Sequence, residues 1–204
     1  MRLGAPGEDA VLTLPPCVPR REAEDFLERH AGWLERALAR QPEGVRVGHG
    51  VQLPVGGSLL EIVAAEGPRR APRIEGGQLV LAGHGTAGPR IAAWLREQAR
   101  AVLVPAAQAY AGTLGRKVQG VALRDTRSRW GSCSSTGRLS FSWRLAMAPP
   151  EVQDYVAAHE AAHLVEMNHG PRFWALVERL RPDHRAERAW LRDEGRRLHA
   201  FRFD

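Results

Sequence analysis

The sequence predicts an α+β fold, and three observations carry that prediction. Short segments of alternating apolar and polar residues, broken by Gly and Pro, fill much of the first half. Longer runs with apolar residues at helical spacing flank them. Three further helical patterns close the chain, after a compact pair of strand-like segments. With 204 residues, 44% of them hydrophobic, there is material for one sizeable core or two small ones.

In chain order, VLTLPP (11–16) alternates and stops at a proline pair, as a strand does. Residues 20–40 then place Phe26, Leu27, His30, Trp33, Leu34, Ala37 and Leu38 on one face of an amphipathic helix. VQLPV, SLLEIVAAE and QLVLAGH read as short strands, and GHGTAGP (83–89) as a hinge. That hinge divides an N-terminal α+β region, 1–87, from a second domain, 88–204. A long helix runs from Arg90 towards Tyr110, with Pro105 able to kink or divide it. A hairpin is expected next: Val121 and Leu123 start one strand, and Leu139, Phe141, Trp143 and Leu145 share a face of its partner. SSTG (134–137) supplies turn chemistry between them. Helices are expected over 150–167, 171–180 and 183–199.

Composition narrows the function classes. No run of 18 apolar residues appears, so no membrane-spanning helix is expected, and the N-terminus lacks a signal-peptide core. A cytoplasmic monomer is the default expectation. Two cysteines, Cys17 and Cys133, are too few for a disulfide framework or a cysteine zinc cage. Any metal must therefore rest on His and carboxylate. The net charge is +6, and the segment from Arg116 to Arg144 alone carries seven basic residues against one acid, Asp125.

Residues 159–163 read His-Glu-Ala-Ala-His, the HExxH pattern of zincins. On a helix, positions i and i+4 share a face, so both imidazoles can reach one zinc ion while Glu160 serves as base for its water. Pro149, Pro150 and Glu151 make a plausible helix start. A catalytic zinc needs a third protein ligand, and His169 is the best candidate. It lies six residues after His163, about 240° round a continuing helix, so the helix must end first. Asn168 and Gly170-Pro171 place that end between Met167 and His169. Glu178, Glu187 and Glu194 are the competing third ligands. The 159, 163, 169 spacing matches the metzincins, yet Glu166 stands where they need Gly and no methionine follows downstream. The chain is not a metzincin.

With the metal motif and the basic segment both in hand, the chain resembles the YgjP-like family of predicted metal-dependent hydrolases, relatives of SprT-like zinc metallopeptidases. The residues that carry the resemblance are SRWGSCSSTGRLSFSWRL (128–145), HEAAHLVEMNHGPRFW (159–174) and RPDHRAERAWL (181–191). It implies a zincin-like domain, an active-site helix under a small antiparallel sheet. It also implies His159, His163 and His169 as ligands with Glu160 as catalytic base. Ala161 replaces the commoner leucine, harmlessly on that face. His184 stands where the family usually has tyrosine, so no role is carried over to it.

Around the site, Arg129, Trp130, Arg127 and Cys133 are candidate substrate-binding residues beside an edge strand able to pair with an extended peptide. The leading expectation is a zinc metallopeptidase that uses a metal-activated water and acts on a peptide or protein. One alternative is a zinc-dependent phosphohydrolase acting on nucleotides, for which Arg124, Arg127, Arg129 and Arg144 would form a cationic rim that binds phosphate. The other is a nucleic-acid-binding module with structural zinc, in which Trp130 and Trp143 would stack on bases. Phe173, Trp174, Leu176, Val177 and Leu180 are expected in the core, as is Tyr155.

Overall fold

The computed structural model describes residues 10–39 and 43–204. Its elements, in chain order, are α1 (Arg20–Ala39), β1 (Val45–Arg46), β2 (Gln52–Val55), β3 (Ser58–Ala65), β4 (Arg73–Glu75) and β5 (Gln78–Ala82). Then come α2 (Ala87–Thr113), β6 (Gly120–Arg124), β7 (Gly131–Cys133) and β8 (Arg138–Ser142), followed by a 3-10 turn (Trp143–Met147) and α3 (Pro150–Ala162). The chain ends with α4 (Pro171–Leu180), α5 (Arg185–Asp193) and β9 (Phe201–Arg202). The fold is α+β with small sheets, as the sequence predicts. Among the described residues no helix is long and apolar enough to cross a membrane.

The first sheet has the order β2-β3-β5-β4, with β3 and β5 parallel and the outer pairs antiparallel. Its buried residues Leu53, Ile62, Leu79 and Leu81 share one core with the buried face of α2. That helix buries a strict i, i+4 row, Ile91, Leu95, Ala99, Leu103, Ala107 and Ala111. The alanines at its C-terminal end meet Ala157, Ala158, Ala161 and Ala162 of α3, so the two backbones approach closely. One core thus joins residues from both sides of position 88. Pro105 does not divide α2. It sits on the exposed face, where the carbonyl freed by its missing N–H meets water.

Four expectations need correction. VLTLPP forms only an isolated bridge at Val11; its prolines remove the donors that a ladder needs. The hairpin joins β7 to β8 across the 134–137 turn, while β6 runs parallel to β8 on the other side. The sheet above the metal helix is therefore mixed rather than antiparallel, because the loop between Arg124 and Gly131 carries the chain across to the far edge of β8. Trp143 and Leu145 lie in the 3-10 turn rather than in the strand. Lastly, α3 stops at Ala162, not beyond Met167: Leu164 and Val165 donate to Ala161 and Ala162, tightening the last turn. Helix α1 forms as expected, yet its apolar stripe stays on the surface, with Leu27, Trp33 and Leu38 all exposed. The pairing of β1 with β9, which returns the C-terminus to residue 45, left no mark in the sequence pattern.

Candidate metal centre

Helix α3 starts at Pro150, whose ring fixes φ where no N–H is needed, and carries Glu151 in its first turn. Its buried face continues Val152, Tyr155 and Val156 into His159, so the metal motif grows directly out of the core. Because the helix ends at Ala162 with His163 as its cap, the chain turns early, and α4 begins at Gly170-Pro171. His169 lies in that connection and folds back over α3. Asn168 has no left-handed backbone; the reversal is made by turns through 163–165 and a bond from the Gly170 N–H to the Asn168 carbonyl.

The three imidazoles point inward. Nε2 of His169 lies 3.1 Å from Nε2 of His159 and 3.1 Å from Nε2 of His163. His163 Nδ1 is 3.0 Å from the Glu166 carbonyl, so it must donate, and its Nε2 is left with a lone pair. His159 Nδ1 lies 3.3 Å from the Tyr155 hydroxyl. Burial and the neighbouring rings push the His159 pKa down to about 3, and burial lowers that of His163. Both are neutral donors at neutral pH. Tetrahedral zinc–nitrogen bonds of about 2.0–2.1 Å would set neighbouring nitrogens about 3.3 Å apart, so the donor set fits such an ion. Among the described residues no other trio of metal-ligating side chains converges.

Phe173 is the seat of this cluster. Its ring lies 4.8, 4.4 and 4.7 Å from those of His159, His163 and His169. Behind it, Tyr155, His184 and Trp174 stack at 5.9 and 5.8 Å, and the Arg188 guanidinium lies over Trp174. Nδ1 of the buried His184 is 3.0 Å from Glu178 Oε2, off the line that a hydrogen bond requires. The competing acids are engaged elsewhere: Glu178 with His184, Glu187 with Arg181 and Glu194 with Arg197.

Glu160 is buried, and its Oε2 has no hydrogen-bond partner. Burial raises its pKa to about 8, against the opposing pull of Arg129. Gly131 on β7 lies directly above it; a Cβ there would overlap the carboxyl group. The cavity between β7 and α3, about 440 Å³, is lined by Arg129, Trp130, Ser132, Cys133, Met167 and Leu191 besides the motif residues. Arg127 does not line it and faces another concavity with Arg144 and His199. The Cys133 thiol is held protonated, first by burial and then by Glu160.

Of the four arginines expected to form a phosphate-binding rim, Arg129 alone reaches the cavity. Arg144 is buried against Asp125. Trp143 is buried and Trp130 stacks on His199, so these two rings form no open platform. The Glu166 carbonyl and the Phe173 seat were not assigned from sequence, because both contacts depend on where α3 ends; Tyr155, expected in the core, meets His159 one turn along the same helix.

The YgjP-like, metallopeptidase domain model matches residues 1–194. The chain belongs to the YgjP-like metallopeptidase family. Among solved structures, the crystal structure of the metallopeptidase zymogen of Pyrococcus abyssi abylysin is similar at 22% identity. It covers 45% of this chain and 95% of that one, with a TM-score of 0.39. No curated protein matches the chain. Membership of the YgjP-like family makes the chain a metal-dependent hydrolase of the peptidase class, and the three-histidine cluster is the place that could hold its metal.

Proposed function

We propose that this YgjP-like chain is a zinc metallopeptidase on a zincin-like plan, with His159, His163 and His169 as ligands and Glu160 as general base. One observation carries the reading: three Nε2 atoms converge beside the buried Glu160 carboxyl group, whose Oε2 has no hydrogen-bond partner. A zinc ion there supplies Lewis acidity, polarising a scissile carbonyl and making water acidic near neutral pH. A nearby cation favours the charged form of Glu160, bringing its pKa down from about 8 into the range of a working base. Glu160 then takes the proton from the attacking water and returns it to the leaving amine. Among the described residues the outer edge of β7 is unpaired, so a substrate backbone can add to it as a strand and lie across the cavity. Arg129 stands near enough to balance the charge that develops on the carbonyl oxygen.

The test is direct. Native protein should hold one zinc per chain, and Glu160→Gln should keep the metal while peptide cleavage falls by about 10²–10⁴-fold. A native protein without metal, or a Gln variant that still cleaves, would overturn the reading.

A further inference from the structure

The sheet over α3 has two faces, and only one belongs to the metal cavity. Leu139 and Phe141 are buried towards the helix, so Arg138 and Ser140 point the opposite way. The β6–β8 register places Ala122 beside Ser140, which puts Arg124, two residues on, on that same outer face. There a concavity of about 560 Å³ opens, lined by Arg124, Arg129 and Arg138 and by the hydroxyls of Thr126, Ser132 and Thr136. No Asp or Glu lines it, and among the described residues none of the three guanidiniums forms an ion pair. This is an unbalanced cluster of positive charge with the Ser132 and Ser140 hydroxyls between, while Thr126 donates to the Arg129 carbonyl and Thr136 pairs with Ser134.

This concavity shares Arg129, Gly131, Ser132 and Cys133 with the metal cavity, so the two lie on opposite sides of β7. A peptide added to the free edge of β7 sends successive side chains to opposite faces. One set points into the metal cavity; the alternate set, about 7 Å apart, points to the arginines. No aromatic side chain lines the outer concavity, so it lacks the stacking surface that single-stranded nucleic acid uses. Arginine forks with hydroxyls around them match carboxylates.

We propose that the outer face of β6, β8 and β7 is a second recognition surface, which selects polypeptides carrying Asp or Glu at alternate positions around the scissile bond. The inference rests on the peptidase reading and adds a specificity to it. Arg124 and Arg138 confer the preference from a face remote from the metal.

Two peptides with one scissile core, bearing Glu or Gln at alternate positions, test it. At low salt the native protein should favour the Glu peptide by about tenfold in kcat/KM, the sum of two exposed charge pairs. The ratio should fall towards one in R124Q/R138Q and with added salt. R124E/R138E should reverse it, favouring a Lys-bearing peptide. These side chains are exposed, so the variants are expected to fold. Binding of the same labelled peptides to Glu160→Gln protein, read by fluorescence anisotropy, gives a measure that needs no hydrolysis. Tighter binding of the Glu peptide, lost in R124Q/R138Q, supports the surface even if no peptide is cleaved; that outcome would sink the peptidase reading alone. Equal binding of Glu and Gln peptides overturns the surface, as does a preference that survives R124Q/R138Q. A short single-stranded oligodeoxynucleotide that binds where the Glu peptide does not also overturns it.

Discussion

At Gly131 the absence of a side chain is a requirement set by Glu160, not by backbone conformation. An added methyl would displace the carboxyl group or the strand, at a cost of about 1–3 kcal/mol in packing. Gly131→Ala should keep its zinc, since no ligand moves, but lose about a hundredfold in kcat/KM, because a displacement near 1 Å is enough for that. Metal analysis beside kinetics checks it; unchanged kinetics would remove Gly131 from the argument. A second residue-scale outcome concerns protons. His159 and His199 have folded pKa values pushed by burial to about 3 and about 4, and that of His163 is lowered as well. The unfolded chain takes up these protons near pH 6.5, so below that pH the folded state loses ground as pH falls. Glu160 works in the opposite sense: raised to about 8, it keeps its proton in the folded state while the unfolded chain releases it near 4.5. Its effect is a loss of stability as pH rises from 4.5 to 8. Three histidines against one acid place the optimum of the metal-free protein near pH 6.5. Unfolding midpoints across pH should trace that maximum. Glu160→Gln should flatten the alkaline side and His199→Phe should shallow the acid side; a curve rising steadily from pH 6.5 to 8 would contradict the assignment.

The early end of α3 decides the geometry at the scale of elements. If α3 continued through Met167, as its spacing predicts, the next six residues would carry His169 away from the other two imidazoles. Stopping at Ala162 leaves eight residues, 163–170, to reverse the chain before Pro171 opens α4. His169 is exposed and packs on Phe173 and Trp174, which are held by their own helix. Its removal should therefore spare the fold. His169→Ala is expected to lose zinc on dialysis against a weak chelator, with an unfolding midpoint in metal-free buffer close to that of the native protein. Full zinc retention would exclude it as a ligand. The same elements show what the sequence could and could not reveal. The HExxH spacing, the α2 row and the α4 limits were legible because each is a local periodicity or a proline start. The β6–β8 pairing was not, since a parallel neighbour leaves the same alternation as a hairpin partner, and the loop that separates them looks like ordinary turn sequence. The α3 terminus was hidden because Leu164, Val165 and Met167 are apolar residues that continue the helical pattern, although Val165 and Met167 end up exposed.

For the whole molecule, one buried cation anchors the C-terminal segment, whose strand β9 pairs with β1. Arg144 is buried, with Nε 2.6 Å from Asp125 and Nη1 2.9 Å from the carbonyls of both Leu198 and Phe201. Its guanidinium lies over the rings of Trp143 and Phe203. Val45 and Val47 donate to Ala200 and Arg202, closing β1 on β9, and His199 stacks on Trp130 at the wall of the metal cavity. Deleting residues 200–204 would take away one carbonyl acceptor and one ring from a cation that water does not reach. With Asp125 still in place, leaving the charge one acceptor short costs about 1.5–3 kcal/mol, roughly 5 °C in unfolding midpoint for a chain of this size. If stranding is the cause, and not merely lost apolar contact, then replacing Arg144 by methionine should hurt the full chain yet partly rescue the truncated one. Midpoints of the four proteins, native and R144M with and without residues 200–204, form a double-mutant cycle. A positive coupling of at least about 1 kcal/mol is expected. Additive losses would mean that the segment holds the fold through packing alone, and that Arg144 is satisfied by Asp125 without it.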